Sequence, residues 1–461
     1  MKNEKMLKEG SVIRLLISMS LPVILVMLIN VIYNLADVFF LGRTGNTVQV
    51  AAVSLAGPLF SVFSAFNTLL GFGACTASSM ALGRGENHRV SQYASFCLYV
   101  SLFLGSVILA GVQCFTDPLL GLLGAVGNMA PYTAEYLHIF SLGAPFMIAG
   151  GALGNVLRAD GESKGAVIAS MLGTITNIIL DPLMISTLKM GISGAAWATV
   201  IGCFVSFIAT LIVSKKKGIQ ISLRSFTLKK EISLRVLSLG LPMAASTLLM
   251  SISGTFSNRL YAGYGSETVA ASSVAGKAGM LVCMLVMGIC MGVQPAVSYA
   301  YGQNSKRRLY GIIRGVTAAA VLTGAGLSLV CILIRKQFVG AFMNDPAFIA
   351  LGERMVIASL ATAAISGIYQ MCQVFLQGTG KVNYATFAAL MQKGIIFLPV
   401  MYLAHALNGL SGLIWAGAVT DLIATAVSMI LCVSWCREMN LRNHKKRISM
   451  AVCPEQAAGA F

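Results

Sequence analysis

The second half of this chain is a copy of the first, offset by about 219 residues, and the likeness lies in residue identities as well as in hydropathy. Leu21-Pro22 returns as Leu241-Pro242, Val50-Ala51-Ala52 with Gly57 returns as Val269-Ala270-Ala271 with Gly276, and Gly83 returns as Gly302. Leu157 and Gly161 return as Leu376 and Gly380, and Ser193-Gly194 with Trp197-Ala198 returns as Ser411-Gly412 with Trp415-Ala416. One unit has been duplicated, so the fold must consist of two related bodies in one chain.

The solvent of those bodies follows from composition. Hydrophobic residues make up 57% of the chain and charged ones 11%, with a mean hydropathy of +0.80, which leaves most segments no polar face for water. Apolar runs of about 20 residues, enough to cross roughly 30 Å of hydrocarbon as a helix, occur twelve times. They lie near 15–41, 50–81, 91–116, 131–156, 165–187, 190–214, 236–263, 269–301, 309–334, 350–377, 384–407 and 409–434, numbered here as spans one to twelve. The predicted fold class is an all-α integral membrane protein of twelve transmembrane helices in two six-helix bundles.

Charge sets the expected orientation. With the N-terminus inside, 25 of the 33 Lys and Arg fall on the inner side, including Lys2, Lys5, Lys8, the block Lys215 to Arg235 and the tail from Arg437 to Arg447. The net charge of +17 therefore reads as topology and contact with anionic lipid, with no nucleic-acid partner. Six spans return the chain to the side where it began, so the copy enters with the same orientation and an axis along the membrane normal relates the two bundles. The expected division is a first lobe at 1–214, a basic cytoplasmic connector at 215–235 lying on the membrane surface, a second lobe at 236–436 and an irregular cytoplasmic tail at 437–461. No cleavable leader is expected, because Met1 to Gly10 is charged and the first apolar run is too long. The expected location is the cell membrane, as a multi-pass monomer with both termini cytoplasmic.

Enzyme signatures are missing. No His-Glu-x-x-His, phosphate-binding loop or Gly-x-Ser-x-Gly occurs, and the four histidines, His88, His138, His405 and His444, stand in four different segments. The eleven cysteines are scattered singly as small apolar residues, and Gly150-x-x-x-Gly154 and Gly288-x-x-x-Gly292 read as helix-packing contacts. No catalysis and no cofactor are expected, and the energy for any transport must come from an ion gradient or a partner.

Acids inside the membrane are costly and so point to function. Only Asp37, Asp181 and Asp421 lie well within spans. Asp37, Asp181 and Thr199 share a depth in the outer half of the first lobe. Tyr33 lies one helical turn from Asp37 and Asn177 one turn from Asp181. Two carboxylates with amide and hydroxyl oxygens suit a sodium ion, a shared proton, or a purely structural hydrogen-bonded cluster. Pro182 should free the Ile178 carbonyl and kink the helix beside Asp181.

Four stretches resemble the multidrug and toxic compound extrusion (MATE) transporters: Tyr33-Asn34-Leu35-Ala36-Asp37, Leu157-Arg158-Ala159-Asp160-Gly161, Asn177-Ile178-Ile179-Leu180-Asp181-Pro182 and Gly191-Ile192-Ser193-Gly194-Ala195-Ala196-Trp197-Ala198-Thr199. The resemblance spans nearly the whole chain. It implies two six-helix bundles around a V-shaped cavity, exporting organic compounds in exchange for H+ or Na+. It also implies a cation site at Asp37, Asn177, Asp181 and Thr199, which would be the sodium ligands if sodium is the coupling ion, with Tyr33 and Asn155 as neighbours.

One branch of that family also has acids in spans seven and ten, where this chain offers Ser253, Ser257 and Asn258, and Tyr369, Gln370 and Gln373. Asp421 either replaces them, with Gln373 and Asn258 in a second-lobe polar site, or is a structural group, hydrogen-bonded or ion-paired with Lys277 or Lys393. Arg158, Asp160 and Gly161, in a short inner loop, are expected to serve a hinge, with Pro22 and Pro182 as bending points. The resemblance implies small organic, drug-like cations as substrates; 24 Met and 22 Phe could furnish an adaptable apolar cavity, but such residues fill any polytopic membrane protein. The alternative, export of lipid-linked sugars by a flippase of the same broader superfamily, would favour a more basic cavity.

Overall fold

The computed structural model describes residues 11–42, 47–125, 127–217, 221–222, 224–342 and 345–452, with side chains throughout except at 12, 30–42, 47, 50–51, 440 and 442–452. The side chains of Tyr33 and Asp37 thus lie outside the described residues.

Helix is the dominant element, as hydrocarbon requires of a backbone that must satisfy its own N–H and C=O groups. Among the described residues nine helices are long and apolar enough to cross a bilayer, and a tenth crossing is the pair Met129–Ser141 and Ala144–Ala159, bent by 47° at their break. Span one lies in Val12–Gly42, and the helical stretch Val382–Met439 contains both span eleven and span twelve. The turn between those two is Gly409, at φ 55° and ψ −134°, a conformation open to glycine and strained for other residues.

Proline opens several segments where its missing N–H costs nothing: Pro58 in Gly57–Gly83, Pro145 in Ala144–Ala159 and Pro295 in Gln294–Gly302. Pro22 and Pro242, equivalent in the two copies, lie inside continuous helices. Outward faces are apolar, for example Phe103 and Val107 of span three and Leu322, Leu329 and Leu333 of span nine, which is the pattern of helices that face lipid.

The duplication extends to backbone dihedrals. Gly85 and Asn304 have φ of 78° and 56°, Gly161 and Gly380 both have 76°, and Gly191 and Gly409 both have 55°. Turns of the same left-handed kind therefore close the same inter-span connections in each copy.

Where the copies meet, span one lies along span eight and span two along span seven, as a two-fold relation demands. Each bundle lends its first helix to the other: Leu15 and Met19 pack among Val286, Val293 and Val297, while Ile232, Val236 and Leu239 pack in the core of the first bundle. Glycine permits the approach. A Cβ at Gly240 would overlap the Leu69 carbonyl, one at Gly73 the Val236 carbonyl, and Gly83 and Gly302 press on each other, a Cβ at Gly83 falling 3.0 Å from the Gly302 Cα. Polar bridges join the same seam: Ser20 Oγ donates to the Ile289 carbonyl at 2.9 Å, Gln294 Nε2 to Thr76 Oγ1 at 3.0 Å and Gln377 Nε2 to the Leu239 carbonyl at 2.7 Å.

One segment, the tail, differs from the sequence expectation. The connector packs against span three, where Ser222 N donates to Ser95 Oγ at 3.2 Å and Phe226 meets Tyr99 edge-on at 5.4 Å. The last helix runs on to Val452 instead of ending near 436, because Arg437 to Met450 contains no proline or glycine to stop it. Lys381 Nζ and Tyr384 Oη hold Glu438 of that extension at 2.8 and 2.9 Å.

Gly240→Val and Gly302→Val should each destabilise the purified protein by about 1–3 kcal/mol through overpacking at the seam, read as a lower melting midpoint in detergent. Gly276→Ala, where a Cβ meets nothing within 4 Å, should leave the midpoint unchanged. An unchanged midpoint in both valine variants would show that the seam does not hold the lobes.

Candidate functional site in the first lobe

Spans five and six carry three of the expected site residues, and glycine sets the distance between them. A Cβ at Gly173 would fall 2.5 Å from the Gly202 carbonyl, and one at Gly194 2.8 Å from the Met184 carbonyl carbon, so the two backbones run nearly in contact. One turn beyond Gly173, Asn177 Nδ2 therefore reaches Thr199 Oγ1 at 3.4 Å, and Thr199 Oγ1 donates to the Ala195 carbonyl at 3.0 Å. All three expected residues are buried: Asp181 is 0% exposed, Asn177 3% and Thr199 7%. The Asn177 side-chain oxygen receives no hydrogen bond from the described residues.

At Pro182 the helix widens and runs on. The α-helix Ser163–Asp181 ends at the acid, and Pro182–Thr187 continues as a π-helix. Five-residue turns of this kind accommodate a residue that cannot join the regular ladder and recur at functional sites. Helix Val12–Gly42, which carries Tyr33 and Asp37, packs against span five and this turn. The wall that bears Asp37 thus borders the element that bears Asp181.

Asn155, in span four, is also buried. Its Nδ2 donates to the Gly151 carbonyl at 3.0 Å, and it presses on Gly71 of span two. It lines a cavity of about 240 Å³ together with Asn67, Ser170, Ser206 and Thr210. Arg158 lines the same cavity. It lies in the last turn of Ala144–Ala159, not in a loop, with its guanidinium over the Phe72 ring at 5.4 Å. The expected hinge reading of Arg158 thus meets a side chain built into the lobe. The tight turn belongs to Asp160 and Gly161, whose φ of 76° closes the helix.

In the second lobe Gln373 lies 2.7 Å from the Tyr369 hydroxyl, beside span eleven, and Asn258 is exposed; among the described residues neither hydrogen-bonds Asp421. Thr362 and Gln392 do: Thr362 Oγ1 donates to Asp421 Oδ2 at 3.1 Å and Gln392 Nε2 to Oδ1 at 2.9 Å. Among the described residues no ion pair involves Asp421, and Lys277 is exposed with its ammonium over the Phe342 ring at 5.3 Å. Sequence reasoning passed over Thr362 and Gln392 because a neutral polar residue carries no alarm until its partner is known. The available signal was that each is a hydrogen-bonding residue inside an apolar run.

Among the described residues no group of three or more His, Cys, Asp or Glu could hold a metal ion. The first-lobe oxygens of Asn177, Asp181 and Thr199 are hard neutral and anionic donors, the set that suits a proton or an alkali cation.

Comparison with known proteins agrees with this architecture. The MatE family model matches twice, over residues 22–183 and 242–403, one match for each copy. The multidrug export protein MepA of Staphylococcus saprophyticus is 29% identical over 439 residues, covering 94% of this chain and 96% of that protein. MepA of Staphylococcus aureus is 27% identical over 443 residues with the same coverage. Among solved structures, MATE in the bent conformation superposes with a TM-score of 0.87 at 25% identity, covering 97% and 99% of the two chains. An Asp-to-Asn variant of the Vibrio cholerae transporter VcmN superposes with a TM-score of 0.88 at 20% identity, covering 93% and 97%. The two-lobe fold is that of these structures, and the chain belongs to the MATE family of multi-pass membrane transporters.

Proposed function

We propose that this protein exports organic, drug-like cations across the cell membrane in exchange for a monovalent cation, a proton or sodium, by rocking of its two lobes. The observation that carries the coupling is the buried set of Asp181, Asn177 and Thr199 in the first lobe, bordered by the helix that carries Asp37. A carboxylate in hydrocarbon costs several kcal/mol unless it is neutralised, so loading and release of a cation shift the energy of this region more than any neutral ligand would. The names of the staphylococcal relatives, multidrug export proteins, support the direction and the breadth of transport.

The geometry suggests how the exchange works. Cation entry neutralises Asp181 and Asp37, relieves their repulsion and lets span one repack against span five and its π turn. The pseudo-two-fold seam at Gly83 and Gly302 is where the lobes pivot, since no side chain intervenes there. The positive-inside pattern puts that seam, the connector 215–235 and both termini at the cytoplasmic face, with lobes at 1–214 and 236–436 and a monomer as the working unit. Substrate and cation each oppose the other's binding, and the coupling is reciprocal.

Asp37→Asn and Asp181→Asn should each abolish ethidium efflux from loaded cells while membrane expression stays intact. Efflux at the wild-type rate in either variant would remove the first lobe from the coupling path. Asn177→Ala and Thr199→Val should weaken coupling several-fold without abolishing it, since each removes one hydrogen bond or oxygen of about 1 kcal/mol. In purified protein, ethidium affinity should rise about tenfold as pH rises or sodium falls, the direction set by competition with the coupling cation. Affinity indifferent to both would refute antiport.

A further inference from the structure

We propose that the groove between spans one and five is a binding site for one anionic phospholipid, with the lipid phosphate between Arg14 and Lys164 and an acyl chain along the apolar walls below them. The site itself stands on the groove and its charges; its place in the inner leaflet and its use in transport rest on the antiport reading.

The groove is open and encloses about 810 Å³. One wall is the first helix from Ser11 to Leu25, and the other is the start of span five from Lys164 to Met171. Both walls grade in the same sense. Arg14 and Lys164 stand at the mouth, and below them the lining is Ile17, Leu21 and Leu25 on one side and Ile168 and Met171 on the other. Ile17, Leu21, Leu25 and Ile168 are exposed among the described residues. From Arg14 to Leu25 is eleven residues, a rise of about 16 Å along a helix. One leaflet supplies roughly 15 Å of hydrocarbon, half of a bilayer core. The groove thus has the depth of a single acyl chain, with its charge at the height of the headgroups.

Neither cation is engaged by the chain. Among the described residues no ion pair involves Arg14 or Lys164, and Glu162, the acid two residues from Lys164, is held by Lys217 at 2.9 Å. Nor do the two serve their own helices. Arg14 falls in the first turn of Val12–Gly42 and Lys164 in the first turn of Ser163–Asp181, the end at which the helix dipole opposes positive charge. The positive-inside pattern accounts for basic residues on this face, though not for two of them on facing walls of one groove. The second copy does without them. By the offsets of 220 and 219 residues that relate Pro22 to Pro242 and Gly161 to Gly380, Leu234 and Asn383 take the places of Arg14 and Lys164. Arg235, next to Leu234, turns instead to Met80 Sδ at 3.6 Å. The duplicated frame therefore does not require this pair of cations.

Charge selects the occupant. A zwitterionic lipid brings its own cation to the mouth, and an organic cation is repelled there. Residues 1–10 carry Lys2, Lys5 and Lys8 against Glu4 and Glu9, an excess of positive charge. A phosphodiester with no amine beside it offers oxygens to both the guanidinium and the ammonium, the two side-chain cations that bind phosphate.

Position gives the consequence. Pro22 lines the groove between Arg14 and Leu25, where span one lacks a backbone N–H and bends most easily. An acyl chain seated beside it fills the gap between spans one and five, the two elements that repack in the antiport scheme. An occupied groove then holds the lower part of span one in place while the part that carries Asp37 moves.

The test is photolabelling of the purified full-length protein in detergent by a trace of phosphatidylglycerol bearing a diazirine on one acyl chain, with labelled peptides located by mass spectrometry. Label should fall on segments 13–25 and 164–171, and unlabelled phosphatidylglycerol should compete for it about tenfold better than phosphatidylcholine. Arg14→Gln and Lys164→Gln should each weaken phosphatidylglycerol binding about fivefold and together about thirtyfold, while Arg14→Lys should bind nearly as the wild type does. Ile168→Trp, a filling substitution at an exposed position, should exclude the label with both charges intact. Equal competition by the two lipids overturns the proposal, as does label absent from both segments, the result if residues 1–10 occupy the groove. Competition by inorganic phosphate would make the ligand a free anion and competition by ethidium would make it a substrate, and either overturns the proposal. In proteoliposomes, ethidium transport by the wild type should be several-fold faster with phosphatidylglycerol than without, and transport by the double Gln variant should be indifferent to it. Transport absent in every lipid would sink the antiport reading alone, because photolabelling still reports whether the groove takes the lipid.

Discussion

Contact between helix backbones, with no side chain between, is the interaction on which the rest of this molecule depends. In lipid, apolar side chains gain little by leaving hydrocarbon for a protein interior, so helices adhere through close packing and polar contacts. Here Gly73, Gly240, Gly83 and Gly302 bring the two lobes together, and Gly173 with Gly202 brings spans five and six together. The first set makes a seam of backbone against backbone. The second places Asn177 against Thr199, so the same device that assembles the bundle also assembles the candidate cation site.

Polar groups then appear where the regular helix is interrupted. Asp181 ends its α-helix at Pro182 and a π turn follows, and Gln392 lies in the other π turn and holds Asp421. A wide turn leaves backbone groups misaligned and lets a side chain point where a regular helix would not send it. In hydrocarbon such a defect persists only if neighbours satisfy it, and Ser253 does so for the second-lobe turn.

The lobes are alike in scaffold and unlike in chemistry. Left-handed turns recur at Gly161 and Gly380 and at Gly191 and Gly409, which keeps the two folds superposable. Yet the polar residues do not repeat: Asn177, Asp181 and Thr199 have no counterpart of the same type in the second copy, and Asp421 and Gln392 have none in the first. Duplication supplied a symmetric frame, and substitution at helix contacts gave each half its own charge.

The sequence by itself determined the membrane class, the twelve spans, the duplication and the family, because each follows from composition, period or identity along the chain. It also marked Asp37, Asp181 and Asp421, since an acid in an apolar run is conspicuous without any neighbour. Only the tertiary structure decided which neutral groups meet those acids. Asn177 and Thr199 came together as expected because they lie on adjacent antiparallel spans whose depths can be counted from the turn between them. Asn155 lines the cavity with Arg158, and Thr362 and Gln392 are the groups that hydrogen-bond Asp421, because the azimuth of a side chain around its helix depends on bends, π turns and glycine contacts. A π turn rotates every later residue by a large part of a turn, and that rotation is a product of packing between helices distant in sequence.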